Sequence, residues 1–268
     1  MPYFQLEKNL NLYYEDKGEG VPILFVHGWT SNNWMWFNQV DYFAERYRVI
    51  TIDLKGHGAS DKPEAEYLMK DFALELDRFV SNVIGKEKFV LVGHSMGGMI
   101  VLTYAVNRQR AAKLKALVPC GTTFKMGNPI LSRFVDQLKQ GILKYNQATL
   151  GMMSKLAYNG KFAREHKEII QRNTEEGLKC PDYVGIACMD AFVNKYDIEK
   201  DLPSISVPTL ILAGDKDAMV SPDNSERMQS LIPNASLKII GPQVGHCLQI
   251  ERPLEFNTAI DEFIQSVG

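Results

Sequence analysis

A chain of 268 residues, 45% hydrophobic and 23% charged, has the make-up of a soluble globular protein with material for one large domain or two small ones. Its formal net charge is −2 and no Lys/Arg run is long enough to follow a phosphate backbone, which argues against a nucleic-acid partner. The opening Met1-Pro2-Tyr3-Phe4-Gln5-Leu6-Glu7-Lys8 lacks a basic stretch followed by an apolar one, and no later apolar run is long enough to span a bilayer, so a cytoplasmic location is expected.

Taken in chain order, Phe4–Glu7 and Leu12–Glu15 flank Asn9-Leu10-Asn11 and read as a hairpin, the antiparallel edge of a larger sheet. Short runs of Val, Ile, Leu and Phe follow at Ile23–Val26, Val49–Ile52, Phe89–Val92 and Leu114–Val118, and again at Thr209–Leu212 and Leu237–Ile240. Their apolarity is continuous rather than alternating, which suits strands buried on both faces and therefore parallel. Between them lie helical periodicities, among them Asp71–Ile84, with Phe72, Leu76, Phe79, Val80 and Val83 on one face, and Pro253–Val267. Alternating strand and helix predict an α/β fold with a doubly wound, mostly parallel sheet.

The rhythm breaks from Thr123 to Leu202, where apolar residues such as Phe134, Leu138, Ile142, Met152, Met153, Leu156, Ile170, Met189 and Phe192 are helically spaced without a strand candidate. This is more apolar surface than a solvated loop carries. The expectation is a core of residues 1–122 and 203–268 with a helical insertion, 123–202, that caps a site. The rival reading is a helical subdomain packed on the sheet edge with no part in binding. Cys120, Cys180, Cys188 and Cys247 show no C-x-x-C spacing, so neither a disulfide framework nor a zinc site is expected, and no metal or cofactor is called for.

The stretch Val90-Leu91-Val92-Gly93-His94-Ser95-Met96-Gly97-Gly98-Met99-Ile100 is a buried strand, a G-x-S-x-G turn and a helix-compatible run. That is the pattern of a nucleophile elbow, with Ser95 on a sharp strand-to-helix turn and glycines where neighbouring backbone must pass. A serine hydroxyl needs a base to take its proton and a carboxylate to hold that base in the right tautomer. Of five histidines, His246 is the one in a loop after a late strand, at the sheet edge where open α/β sheets place their sites. His27, His57, His94 and His166 have plainer structural readings. For the acid, Thr209–Leu212 runs into Ala213-Gly214-Asp215-Lys216-Asp217. Either aspartate satisfies the chain order Ser, acid, His. Asp215 suits a turn-former, so spacing favours Asp217 without deciding the matter. Trp29, Trp34 and Trp36 are candidates for an acyl pocket or for aromatic core packing, and Asp53 with the Gly56/Gly58 turn reads as structural.

On Val26-His27-Gly28-Trp29, Asp53 through Ser60, Gly93 through Gly98, Val207 through Asp217 and Gly245-His246, the chain resembles the esterases and cofactor-independent haloperoxidase-like members of the α/β-hydrolase superfamily over nearly its whole length. The resemblance implies Ser95 as nucleophile, His246 as general base and Asp217 as triad acid. It also implies an oxyanion hole from the backbone N–H groups of Met96 and Trp29. Only the insertion departs from the pattern. The expected activity is hydrolysis of small to medium apolar carboxylic esters, a small-molecule substrate, through an acyl-enzyme. An enol-lactonase, a thioesterase, a C–C bond hydrolase or a perhydrolase would use the same triad, and a non-catalytic ligand receptor on the same fold is the alternative from another class. Superfamily dehalogenases and epoxide hydrolases carry Asp at the position of Ser95. A general base must be neutral, so activity is expected to fall as pH drops through ~6.5. Nothing in the sequence speaks to the oligomeric state.

Overall fold

The computed structural model describes residues 3–268; Met1 and Pro2, which open the N-terminal stretch read above, lie outside it. Eight strands, β1 (Tyr3–Glu7), β2 (Leu10–Lys17), β3 (Pro22–Val26), β4 (Arg48–Ile52), β5 (Phe89–His94), β6 (Leu114–Cys120), β7 (Thr209–Gly214) and β8 (Ala235–Ile240), form one sheet in the order β1-β2-β4-β3-β5-β6-β7-β8. The pairs β1–β2 and β2–β4 are antiparallel, and every pair from β4 to β8 is parallel. The mostly parallel α/β sheet with an antiparallel edge is thus present. The hairpin turn is tighter than the sequence suggests: Leu10 already belongs to β2 and pairs with Glu7 across a bulge. Its side chain is 7% exposed beside Leu12, so burial draws it out of the turn and into the sheet.

Helices α1 (Phe37–Phe43), α2 (Met69–Val83), α3 (Met96–Ala105) and α4 (Arg108–Ala111) connect the first six strands. Five more, α5 (Pro129–Lys139), α6 (Gln147–Leu156), α7 (Gly160–Glu165), α8 (Lys167–Gly177) and α9 (Asp182–Asn194), lie between β6 and β7. The chain ends with α10 (Pro222–Leu231), α11 (Leu248–Glu251) and α12 (Pro253–Ser266). Successive strand residues point to opposite faces, and the central strands serve two cores. Leu24, Val26 and Leu91 pack with Phe72, Leu76 and Phe79 of α2 on one face. Ile23, Phe25, Val90 and Val92 pack with Phe43 of α1 and Phe256 and Ile260 of α12 on the other. This two-sided cover is why β3 and β5 are buried along their whole length.

The α5–α9 segment begins and ends beside itself, since Lys125 and Asp197 form an isolated antiparallel bridge. It contributes Val135, Leu138, Val184 and Met189 to the first core, but Ile142, Met152 and Leu156 stay exposed. All four cysteines are free and buried. Among the described residues no helix is long and apolar enough to cross a membrane.

Candidate active site

β5 delivers Ser95 to a turn with φ 54° and ψ −119° before α3 begins at Met96, a left-handed region that non-glycine residues enter only at a cost. Two glycines make the turn possible. A Cβ on Gly93 would run into the carbonyl of Gly97, and one on Gly97 into the carbonyls of Val26 and His27. The turn is then tied to the end of β6: Ser95 N–H donates to Cys120 O at 3.0 Å, and Thr122 Oγ1 donates to Ser95 O at 2.7 Å.

His246 lies in the loop after β8 with its Nδ1 2.7 Å from Asp217 Oδ2, and both side chains are buried, at 6% and 0% exposure. Asp217 Oδ1 accepts from the N–H groups of Met219 and Val220 at 2.8 and 2.9 Å. Burial by itself would raise this carboxyl. The facing His246 and these hydrogen bonds outweigh it and leave the pKa below its ordinary value. Asp217 is therefore ionised at neutral pH and accepts from His246 Nδ1–H. The two aspartates after β7 divide their work. Asp215 accepts from the backbone N–H of Gln243 and Val244 and so fixes the start of the His246 loop, while Asp217 meets the imidazole.

Two groups that the sequence did not single out secure that loop from its other side. His94 Nε2–H donates to His246 O at 2.9 Å, with the rings 4.7 Å apart. Glu251 accepts from Gly245 N–H at 3.0 Å and from Asn159 N–H, of the α6–α7 connection, at 3.1 Å. Burial, then the neighbouring His246, pushes His94 down to about 3, so it stays neutral. His27, bonded to Gly28 O and Leu54 N–H, and His57, which burial pushes down to about 4, are neutral buried histidines as well. The position of His94 within the G-x-S-x-G turn was the one available signal; nothing marks Glu251 in the sequence.

The loop after β3 passes so close that a Cβ on Gly28 would lie 3.1 Å from Ser95 Cβ. Met96 opens α3, whose first N–H groups have no intrahelical acceptor. Of the three tryptophans only Trp29 reaches the site, where its Nε1–H donates to Gly185 O at 2.7 Å. Trp36 is fully buried against Phe25 and Phe256, and Trp34 stacks on Phe37 beneath Arg172, so the acyl-pocket candidacy of those two is corrected: core packing and surface stacking claim them. Ser95, His246 and Trp29 line one cavity of about 80 Å³, closed above by Leu150, Met153 and Ser154 of α6 and Asn173 of α8. Among the described residues no three His, Cys, Asp or Glu side chains gather as metal ligands do.

A strained serine on a strand-to-helix turn and a buried His–Asp pair thus meet at one cavity, at the carboxyl edge of a parallel sheet where open α/β sheets place their sites. The chain belongs to the alpha/beta hydrolase fold family, whose model matches residues 21–253. It is 29% identical to a non-heme chloroperoxidase of Kitasatospora aureofaciens, over 98% of this chain and 99% of that protein. It is 30% identical to a non-heme haloperoxidase of Rhodococcus erythropolis, over 99% of this chain and all of that one. Among solved structures, a thermophilic esterase from Thermogutta terrifontis superposes with a TM-score of 0.87 at 28% identity, covering 96% of this chain and 94% of that one.

Proposed function

We propose that the protein is a serine hydrolase of carboxylic esters, with Ser95 as nucleophile, His246 as general base and Asp217 as the carboxylate that orients it. The observation that carries this reading is the buried 2.7 Å His246–Asp217 contact at a cavity whose wall includes Ser95. Ser95 Oγ attacks the ester carbonyl as His246 Nε2 takes its proton. The N–H groups of Met96 and Trp29 hold the oxyanion, worth about 3–4 kcal/mol per donor in comparable sites. Collapse of the tetrahedral intermediate breaks the ester C–O bond, and His246 returns the proton to the departing alkoxide. Water, deprotonated by His246, then attacks the acyl-enzyme and releases the acid. Asp217 remains an anion throughout and stabilises the imidazolium. The α5–α9 helices, residues 123–202 in the sequence division, serve as a cap, and the narrow cavity beneath them suits small to medium esters.

The test is hydrolysis of p-nitrophenyl esters of increasing chain length by wild type and Ser95→Ala. The variant is expected to lose on the order of 10⁴-fold or more in kcat. Absence of wild-type turnover, together with no labelling by a fluorophosphonate, would overturn the reading in favour of a ligand receptor. The haloperoxidase names of two relatives favour one further use of the same acyl-enzyme: hydrogen peroxide in place of water releases a peracid. Peracid formation from an ester and peroxide, lost in Ser95→Ala, is the corresponding assay.

A further inference from the structure

The ceiling of the cavity is apolar where Leu150, Met153 and Ala157 form it, and polar at one place, Ser154 and Asn173. Ser154 is 6% exposed. Asn173 Nδ2 donates to Ser154 Oγ at 3.1 Å, Ser154 Oγ lies 3.2 Å from Thr174 Oγ1, and Thr174 Oγ1 donates to Ile170 O at 2.9 Å. A carbonyl only accepts and an amide nitrogen only donates, so this chain of bonds has one direction. The Thr174 hydrogen goes to Ile170 O and the Ser154 hydrogen to Thr174 Oγ1, and Ser154 accepts from Asn173. Both hydroxyl hydrogens are then used. Asn173 keeps a second N–H and its Oδ1, which no hydrogen bond reaches among the described residues. Ser31, of the loop after β3, lines the same cavity, and its Oγ is buried without a hydrogen-bond partner. Buried polar atoms are almost always paired, so the unpaired Ser31 hydroxyl points to a ligand group that pairs with it, and the half-buried Asn173 amide lining the same cavity has an acceptor and a donor left to meet such a group.

We propose that the cavity selects esters carrying, away from the reacting carbonyl, a neutral group that both donates and accepts a hydrogen bond, a hydroxyl or an amide, and that Asn173 reads this group. The proposal rests on the ester-hydrolase reading above and narrows its substrate class. Asn173 accepts with Oδ1 and donates with its free N–H; Ser154 and Thr174 hold the amide in that orientation, and Ser31 supplies a further partner. A charged group is disfavoured, because among the described residues no Lys, Arg, Asp or Glu side chain lines the cavity.

Matched ester pairs of equal shape test this. They are methyl 3-hydroxybutyrate against methyl 3-methylbutanoate, 2-hydroxypropyl butyrate against isobutyl butyrate, and methyl N-acetylglycinate against methyl 4-methylpentanoate. At least one pair is expected to show kcat/KM about tenfold or more in favour of the polar member, and Asn173→Leu to collapse that ratio. The first two pairs separate recognition on the acyl side from recognition on the alcohol side, and the third separates an amide from a hydroxyl. Hydrolysis of the apolar members with no polar preference in wild type would overturn the proposal while leaving the hydrolase reading intact. So would a preference that Asn173→Leu leaves unchanged. If wild type turned over none of the six, this proposal would fall, and the p-nitrophenyl ester and fluorophosphonate assays above would decide the hydrolase reading. If Asn173→Leu does not fold, wild-type ratios without a polar preference still overturn the proposal.

Discussion

Asp53, at the end of β4, and Glu176, near the end of α8, hold the loop after β3 from opposite sides. Asp53 reaches it from the sheet and accepts from the N–H groups of Asn33 and Ala59, each at 2.7 Å. Glu176 reaches it from α8: it accepts from Asn32 Nδ2 at 2.7 Å and pairs with Arg172 and Lys179, each at 2.6 Å. Both side chains are almost fully buried. Burial raises Asp53 to about 6, against the opposition of its two N–H donors. In Glu176 burial acts the same way, but Lys179, Asn32 and Arg172 outweigh it and the pKa falls below the ordinary value. The sheet side thus fixes the Trp29 loop with backbone donors alone, whereas the cap side uses cations that are themselves half in solvent. The first holds without an ion pair, and the second is an ion-paired attachment that responds to salt.

The contrast is sharpest if the chemistry belongs to the sheet alone. Asp217→Asn alters only the sheet side, and removes the charge that holds His246 with its proton on Nδ1. A loss of about 10³–10⁴ in kcat is expected, with KM little changed. Less than a tenfold loss would mean that His94 and the backbone orient His246 without the carboxylate. A smaller effect comes from Asp53. Between its ordinary pKa of 3.8 and about 6 it is protonated in the folded chain and ionised in the unfolded one. The folded state then binds more protons, so this contribution to stability is greatest below pH 4 and declines as pH rises through 6. The shift of about two units corresponds to about 3 kcal/mol. Urea unfolding of wild type and Asp53→Asn from pH 4 to 7 should show the stability difference falling by that amount. A pH-independent difference would place Asp53 in an ordinary, solvated setting.

The same division governs what could be read from the sequence. β3 and β5 were legible because burial on both faces makes their residues uniformly apolar. Ser95 was legible because its turn admits only glycine at 93 and 97. Spacing favoured Asp217 over Asp215 without deciding between them, since both follow β7; the three-dimensional path of the His246 loop gives them different partners. In α5–α9, periodicity announced helices but not which residues face inward. Ile142, Met152 and Leu156 stay exposed while Ser154 and Asn173 line the cavity. Glu176 and Glu251 had no signal at all, because a carboxylate on a helix ordinarily reads as solvated surface. Partners distant in sequence, Asn32 for the one and Asn159 for the other, claim them, and Glu251 also accepts from Gly245 six residues before it.

Glu176→Gln separates the two sides most finely. The substitution keeps the shape and an oxygen able to accept from Asn32, but withdraws the charge from Arg172 and Lys179. Both cations are about half exposed, so solvent screens their attraction and most of the loss comes from the bond to Asn32. A hydrogen bond to a charged group contributes about 1.5–3 kcal/mol, and its neutral replacement retains part of that. A loss near 1 kcal/mol in urea unfolding at neutral pH is expected. Because the folded pKa of Glu176 is lowered, the wild-type advantage is present above the ordinary carboxylate range and disappears as pH falls through it, the reverse of Asp53. Asn32 lies three residues beyond Trp29, so the loosened loop should raise KM more than it lowers kcat. An equal fall in kcat would move Glu176 from attachment of the cap to positioning of the oxyanion donors, and would make the loop after β3 as dependent on the cap as on the sheet.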